Sequence, residues 1–122
     1  MNNEFNINVF SHDANFCSAL ALECNKYGFE LSFFEVSDVD SIFKNDKYFI
    51  SIIIIDLSDN ENEALHLGEK ARINSNYPLF GVVDVLNKNI KHKSKDFGFD
   101  LIFTKQILLK SIRKVIIHIS KQ

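Results

Sequence analysis

The segment Phe49-Ile50-Ser51-Ile52-Ile53-Ile54-Ile55 is apolar at every position but one and ends on Asp56. A run that is apolar toward both faces predicts an interior strand of a parallel sheet. Such a strand delivers its terminal carboxylate to the edge where open α/β sheets gather ligands and chemistry. The pattern around it alternates. Ile7–Phe10 predicts a first strand, Asn15–Tyr27 a helix closed by Gly28, and Leu31–Val36 a second strand. Asp38–Asn45 predicts a short helix with Ser37 or Asp38 as its N-cap, ahead of the strand Phe49–Asp56. Asn60–Ile73 predicts a helix with acids early and Lys70 and Arg72 late, the order that the helix dipole favours. Pro78–Val83 then predicts a strand, Lys88–Phe97 a polar and basic helix, Leu101–Thr104 a short strand and Ile107–Ser120 a closing helix.

Five βα units with short connections in 122 residues predict a single domain over residues 1–122. The expected fold is α/β: a (βα)5 doubly wound parallel sheet of the flavodoxin/CheY-like kind with strand order 2-1-3-4-5, its right-handed crossovers placing helices on both faces. That order sets the first and third strands side by side. Their ends, Phe10-Ser11-His12-Asp13 and Asp56-Leu57-Ser58, are expected to form one pocket.

Composition narrows the classes. Hydrophobic content of 46% with 25% charged residues is that of a globular domain, and the longest apolar runs fall far short of the roughly 20 residues that span a bilayer. Met1-Asn2-Asn3-Glu4 carries no targeting pattern, so a cytoplasmic location is expected. Cys17 and Cys24 lie about two helical turns apart without zinc spacing and read as free thiols. His66, His92 and His118 have no partner at metal spacing and read as surface residues. Gly81, inside a strand, marks close backbone packing. The chain has no glycine-rich phosphate loop, which argues against a nucleotide-binding enzyme. Net charge is −2, but residues 1–61 hold 11 acids and 3 bases while residues 62–122 hold 5 acids and 11 bases. If the halves occupy opposite edges of a sheet, the molecule is a dipole suited to oriented association with a charged partner or with copies of itself.

Along essentially its whole length the chain resembles the receiver domains of two-component response regulators, the CheY-like family. In that family an acidic pair closes the first strand, a phosphoryl-accepting Asp the third, a Thr or Ser the fourth, and a Lys, usually followed by Pro, the fifth. The matching positions here are Ser11 and His12, Asp56, Val83, and Lys105 followed by Gln106, with Gly28-Phe29, Pro78 and Gly98 also in register. The resemblance implies a Mg²⁺ site at Ser11, His12 and Asp56, yet both pair positions lack carboxylates. Ser11 is a weak neutral ligand, His12 suits transition metals, and strand alternation turns Asp13 to the opposite face. Asp56 and Lys105 cancel in charge. They are expected to form a direct ion pair, with Ser11 or His12 donating a hydrogen bond into the space a metal would fill and with a raised His12 pKa if it couples to Asp56. Val83 offers no hydroxyl to an incoming phosphoryl group, Ile102 stands where the family often has a switching aromatic, and Asp84 sets a carboxylate beside the site.

The resemblance also points to an interface. Lys88, Lys91, Lys93 and Lys95 make the fourth helix cationic, and the last helix adds Lys110, Arg113 and Lys114 opposite an apolar stripe. With Ile102 on the fifth strand between them, this surface is expected to meet a protein, either a histidine kinase or an acidic effector, or a second copy in a homodimer. Neither nucleic acid nor membrane is expected as a partner. Two functions follow. The leading one is an atypical receiver that signals by protein contact, independent of Mg²⁺-driven phosphorylation, with no cofactor and no enzymatic activity. The rival is a phospho-accepting receiver of a phosphorelay that uses Asp56 and Mg²⁺, with self-phosphorylation as its one reaction. A third reading, a flavodoxin-like cofactor binder, lacks the phosphate loop it would need after the first strand.

Overall fold

The computed structural model describes residues 5–40 and 50–120. Strands β1 (Phe5–Phe10), β2 (Glu30–Phe33), β3 (Ile50–Asp56), β4 (Leu79–Val83) and β5 (Leu101–Thr104) form one parallel sheet in the order β2-β1-β3-β4-β5. Four described helices accompany it: α1 (Ala14–Lys26), α2 (Glu61–Asn74), α3 (Lys88–Asp96) and α4 (Lys105–Ser120). None is long and apolar enough to cross a membrane.

Local chemistry starts the first three helices. Asp13, Asn60 and Asn87 each accept a backbone hydrogen bond from the residue three positions on, the N-cap geometry. Gly28 and Gly98, at φ 75° and 99°, make the turns that lead into β2 and β5. The last helix differs from expectation. It begins at Lys105, directly after β5, with Thr104 Oγ1 accepting from the Ile107 N–H at 3.2 Å, and so Lys105 sits in a first helical turn where a linker was expected. The second strand ends at Phe33 rather than Val36, and Val36–Asp38 form a 3₁₀ turn. Most of the helix expected over Asp38–Asn45 lies outside the described residues, as does Phe49.

Strand alternation divides the core between two faces. Ile7, Val9, Ile52, Ile54, Phe80 and Val82 pack against α1 and α4 through Phe16, Leu20, Leu108, Ile112 and Ile116. Phe10, Ile53, Ile55, Leu79 and Val83 pack on the other face against Leu65, Leu67, Ile90 and Phe99. Cys17 and Cys24 are free thiols, and burial pushes Cys24 up to about 11. His66, His92 and His118 are exposed.

Gly68 and Gly81 both exist because Phe99 and its neighbours come so close. A Cβ at Gly68 would lie 2.2 Å from Phe99 Cε1, and one at Gly81 would lie 2.5 Å from Ile102 Cδ1. Phe99 is only 5% exposed, so its ring has nowhere to retreat. Ala at a helical Gly ordinarily gains about 1 kcal/mol. Here the overpacking exceeds that gain, and Gly68→Ala is expected to lower the urea unfolding free energy by about 1–2 kcal/mol. Gly68→Ala combined with Phe99→Leu recovers most of the loss.

Candidate functional site

Register brings the site together. Phe10 pairs with Ile55, so Ser11 follows β1 beside Asp56 at the end of β3. Val83 pairs with Thr104, so Lys105 follows β5 level with the end of β4. The loops after β1 and β3 leave toward helices on opposite faces, which opens a crevice between them.

Asp56 is 6% exposed and both its oxygens are engaged. Oδ1 accepts from the Ser58 backbone N–H at 2.9 Å, and Oδ2 accepts from Ser11 Oγ at 2.6 Å and from Lys105 Nζ at 3.0 Å. The expected Asp56–Lys105 pair and the Ser11 hydrogen bond are therefore both present. Lys105 Nζ also reaches Asp13 Oδ2 at 2.9 Å and Asp84 Oδ1 at 3.0 Å, and it lies 5.7 Å from the centre of the Phe16 ring. An ammonium has three N–H bonds, and each of these has its own carboxylate.

The neutral couple expected from sequence is thus corrected. Three carboxylates surround one ammonium, for a local charge of −2. Strand alternation misplaced Asp13 because β1 ends at Phe10, three residues earlier. As N-cap of α1, Asp13 accepts from the Phe16 N–H on Oδ1 and from Lys105 Nζ on Oδ2. The signal was the N-cap pattern itself, an Asp just before a helical period. Asp84, expected beside the site, is in addition a partner of Lys105, and its backbone N–H donates to Ser58 Oγ at 3.0 Å.

The electrostatics follow from these contacts. Burial pulls the Lys105 pKa down, but its hydrogen bonds to Asp13, Asp84 and Asp56 more than offset it and hold the ammonium above its ordinary value. The bond from Lys105, then that from the Phe16 N–H, holds the Asp13 carboxyl below the usual range.

His12 is also corrected. Its ring does not meet Asp56: Nε2 lies 3.1 Å from Glu35 Oε1 and Nδ1 lies 3.2 Å from Asp59 Oδ2. Carboxylates only accept, so both contacts are satisfied at once by the imidazolium alone. Hydrogen bonds to Glu35 and then Asp59 raise the His12 pKa above 6.5. Neither partner carries a signal in the sequence, since both acids sit on loops.

Asp13, Asp56, Asp59, Asp84, His12 and Lys105 line an open depression of about 240 Å³. Val83 does not line it; the side chain is 5% exposed in the core on the α2 and α3 face. Of the expected interface residues, Lys88, Lys91, Lys95 and Ile102 line a separate groove of about 620 Å³ between α3 and β5. Lys110, Arg113 and Lys114 are exposed on α4 and do not line that groove, and the Arg113 guanidinium lies 5.4 Å from the centre of the Tyr27 ring.

The architecture is that of the CheY-like receiver fold. No protein-family model matches the sequence, and no curated protein matches it. Solved structures do. A signal receiver domain of a two-component histidine kinase from Clostridium thermocellum superposes with TM-score 0.67 at 21% identity, over 93% of this chain and 98% of that one. A response regulator CheY-like protein from Mesorhizobium loti gives TM-score 0.60 at 19% identity, over 91% and 98%. The pilus assembly protein CpaE from Burkholderia thailandensis gives TM-score 0.69 at 18% identity, over 90% and 96%. At these identities the likeness is one of fold.

The fold implies a Mg²⁺ beside Asp56, and the donors present do not fit one. Ser11 directs its proton to Asp56, His12 faces two other acids, and the Lys105 ammonium stands among the carboxylates.

Two outcomes test this geometry. Lys105→Met leaves mutually repelling carboxylates around a partly buried vacancy and is expected to cost about 3 kcal/mol at neutral pH by urea denaturation. Asp13, whose pKa is depressed when folded, stabilises above its unfolded value near 3.8 and loses that contribution as pH falls through the folded value, so the deficit of the variant shrinks in acid. The raised His12 pKa gives the opposite dependence, with stabilisation complete below 6.5 and lost as pH rises through the folded value. By NMR titration of the ring signals, Glu35→Gln and Asp59→Asn each lower that pKa, while Asp56→Asn leaves it unchanged.

Proposed function

We propose that this chain is an atypical receiver-like domain of two-component signalling that acts by protein contact, independent of Mg²⁺-driven phosphorylation of Asp56. The observation that supports this reading most is the Lys105 ammonium at 2.9–3.0 Å from Asp13, Asp56 and Asp84. The ammonium takes the point on which the three carboxylates converge, and a local charge of −2 remains around it. A phosphoryl group arriving at Asp56 would displace both the Ser11 and the Lys105 bonds to Oδ2, and Val83 would offer it no hydroxyl. Asp84, with a side chain 68% exposed at the rim, adds repulsion toward an anionic donor.

The contact face is the groove under Lys88, Lys91 and Lys95 with Ile102 in its lining. Its partner is acidic, whether a histidine kinase or an effector. A two-fold homodimer through the same face would oppose lysine to lysine.

Incubation with acetyl phosphate and Mg²⁺, read by intact mass, is expected to leave the mass unchanged. A gain of one phosphoryl group that Asp56→Asn abolishes would establish the rival, a phospho-accepting receiver.

A further inference from the structure

The free edge of β5 joins two kinds of surface. Strand order leaves β5 paired with β4 alone, so backbone N–H and C=O groups face outward along it. Register places the side chains beside that edge. Leu101 pairs with Phe80 of the α1 and α4 core face, and paired residues of parallel strands point the same way, so Leu101 projects on that face, 53% exposed. Ile102, one position out of phase, points to the opposite face, which α3 covers through Ile90.

On the α3 face the edge is basic. Lys88, Lys91 and Lys95 are exposed, line the groove between α3 and β5, and form no ion pair among the described residues. Lys93 is committed to Glu61 at 3.2 Å, and Asp100, the acid in the lining, to Arg72 at 2.8 Å. The lysine stripe therefore keeps its charge available. It also keeps like edges apart, because two copies meeting there bring lysine against lysine.

We infer that the occupant of this edge is an extended acidic segment of another protein, added to β5 as a further strand. A helix lying in the groove covers the lysines but not the far face, onto which Leu101 projects. A strand turns successive side chains to opposite faces and so meets both. The spacing fits: Lys91 and Lys95 are about 6 Å apart along α3, and alternate residues of a strand are about 7 Å apart. The recognised pattern is an alternation of acidic and apolar residues, the acids under the α3 lysines and the apolar side chains against Leu101 and Phe103. This inference rests on the reading of the protein as a contact module and adds the form and chemistry of its partner.

Fluorescence anisotropy with a labelled synthetic peptide in which Glu and Val alternate tests it. A second peptide of the same composition, with all its Glu before all its Val, is expected to bind about tenfold more weakly or worse, and the alternating peptide is expected to dissociate at high salt. Lys91→Gln/Lys95→Gln and Leu101→Gln are each expected to weaken the alternating peptide about tenfold. These side chains are exposed, and unchanged circular dichroism melting verifies that both variants fold. Successive residues of a strand turn their N–H groups to opposite sides, so methylating the amide nitrogens of the valines alone or of the glutamates alone is expected to abolish binding with one set and spare it with the other. Equal binding of the two peptides overturns the inference, since charge alone then suffices. Loss of binding with both methylated sets, which a helical occupant would give, overturns it too, as does an alternating peptide that does not bind or that binds both variants undiminished. Each of these leaves the contact-module reading intact, because that reading is decided separately by mass after acetyl phosphate.

Discussion

The Lys105 ammonium meets one carboxylate from each of three places in the chain: the cap of α1, the end of β3 and the loop after β4. Each of those acids repels the other two, and unit charges a few ångströms apart cost on the order of 4 kcal/mol at an effective dielectric near 20. The crevice between β1 and β3 can hold them because β5 passes into α4 without a linker and starts the helix at Lys105. The Phe16 ring and the burial of the aliphatic stem leave that side chain only 11% exposed, so its attraction is screened less than that of a surface pair. The three contacts are unequal. Asp56 is buried and meets the ammonium where water competes least, while Asp84 stands at the rim and contributes more to the shape of the opening than to stability.

A cation supplied by the chain differs from one supplied by solution. Exchangeable Mg²⁺ lets a carboxylate cluster exist in two conditions, loaded and empty, and a ligand shifts an equilibrium only through a difference in its affinity for two states. On the proposed reading, a tethered ammonium takes the place of the loaded condition. In the proposed function, the face that reports a signal is then selected by what docks on it rather than by chemistry at Asp56. The α3–β5 groove is well placed for that role because Ile102 connects it to the interior: its Cδ1 crowds Gly81, the register partner of Ile55 on β3.

What the sequence could reveal of this arrangement was what periodicity encodes. The run through Ile55 to Asp56 specified an interior strand, the alternation of elements specified the sheet order, and together they set Ser11 beside Asp56, while Lys105 was picked out by the resemblance to receiver domains. Asp13 was misplaced because a two-residue alternation was carried past the last residue of β1, where capping geometry had already taken over. The partners of His12 were illegible for a related reason. Glu35 and Asp59 lie on connecting segments, and a loop's course is set by the elements it joins rather than by its own pattern. The helix start at Lys105 was missed because Thr104 was read only as a strand end, although its hydroxyl also serves the first turn of α4.

The uneven charge of the chain acquires its meaning only through the strand order. A sheet wound 1-2-3-4-5 would also run from acid to base, but its first edge would be β1, whose two asparagines and four apolar residues carry no charge. The order 2-1-3-4-5 instead moves β1 into the interior, where Ile7 and Val9 are fully buried, and exposes β2 with Glu30 at its start. The far edge is β5, flanked by the lysines of α3. The topology that assembles the Asp56 crevice by placing β1 beside β3 is thus the same one that leaves an acidic strand at one end of the sheet and a basic helix at the other.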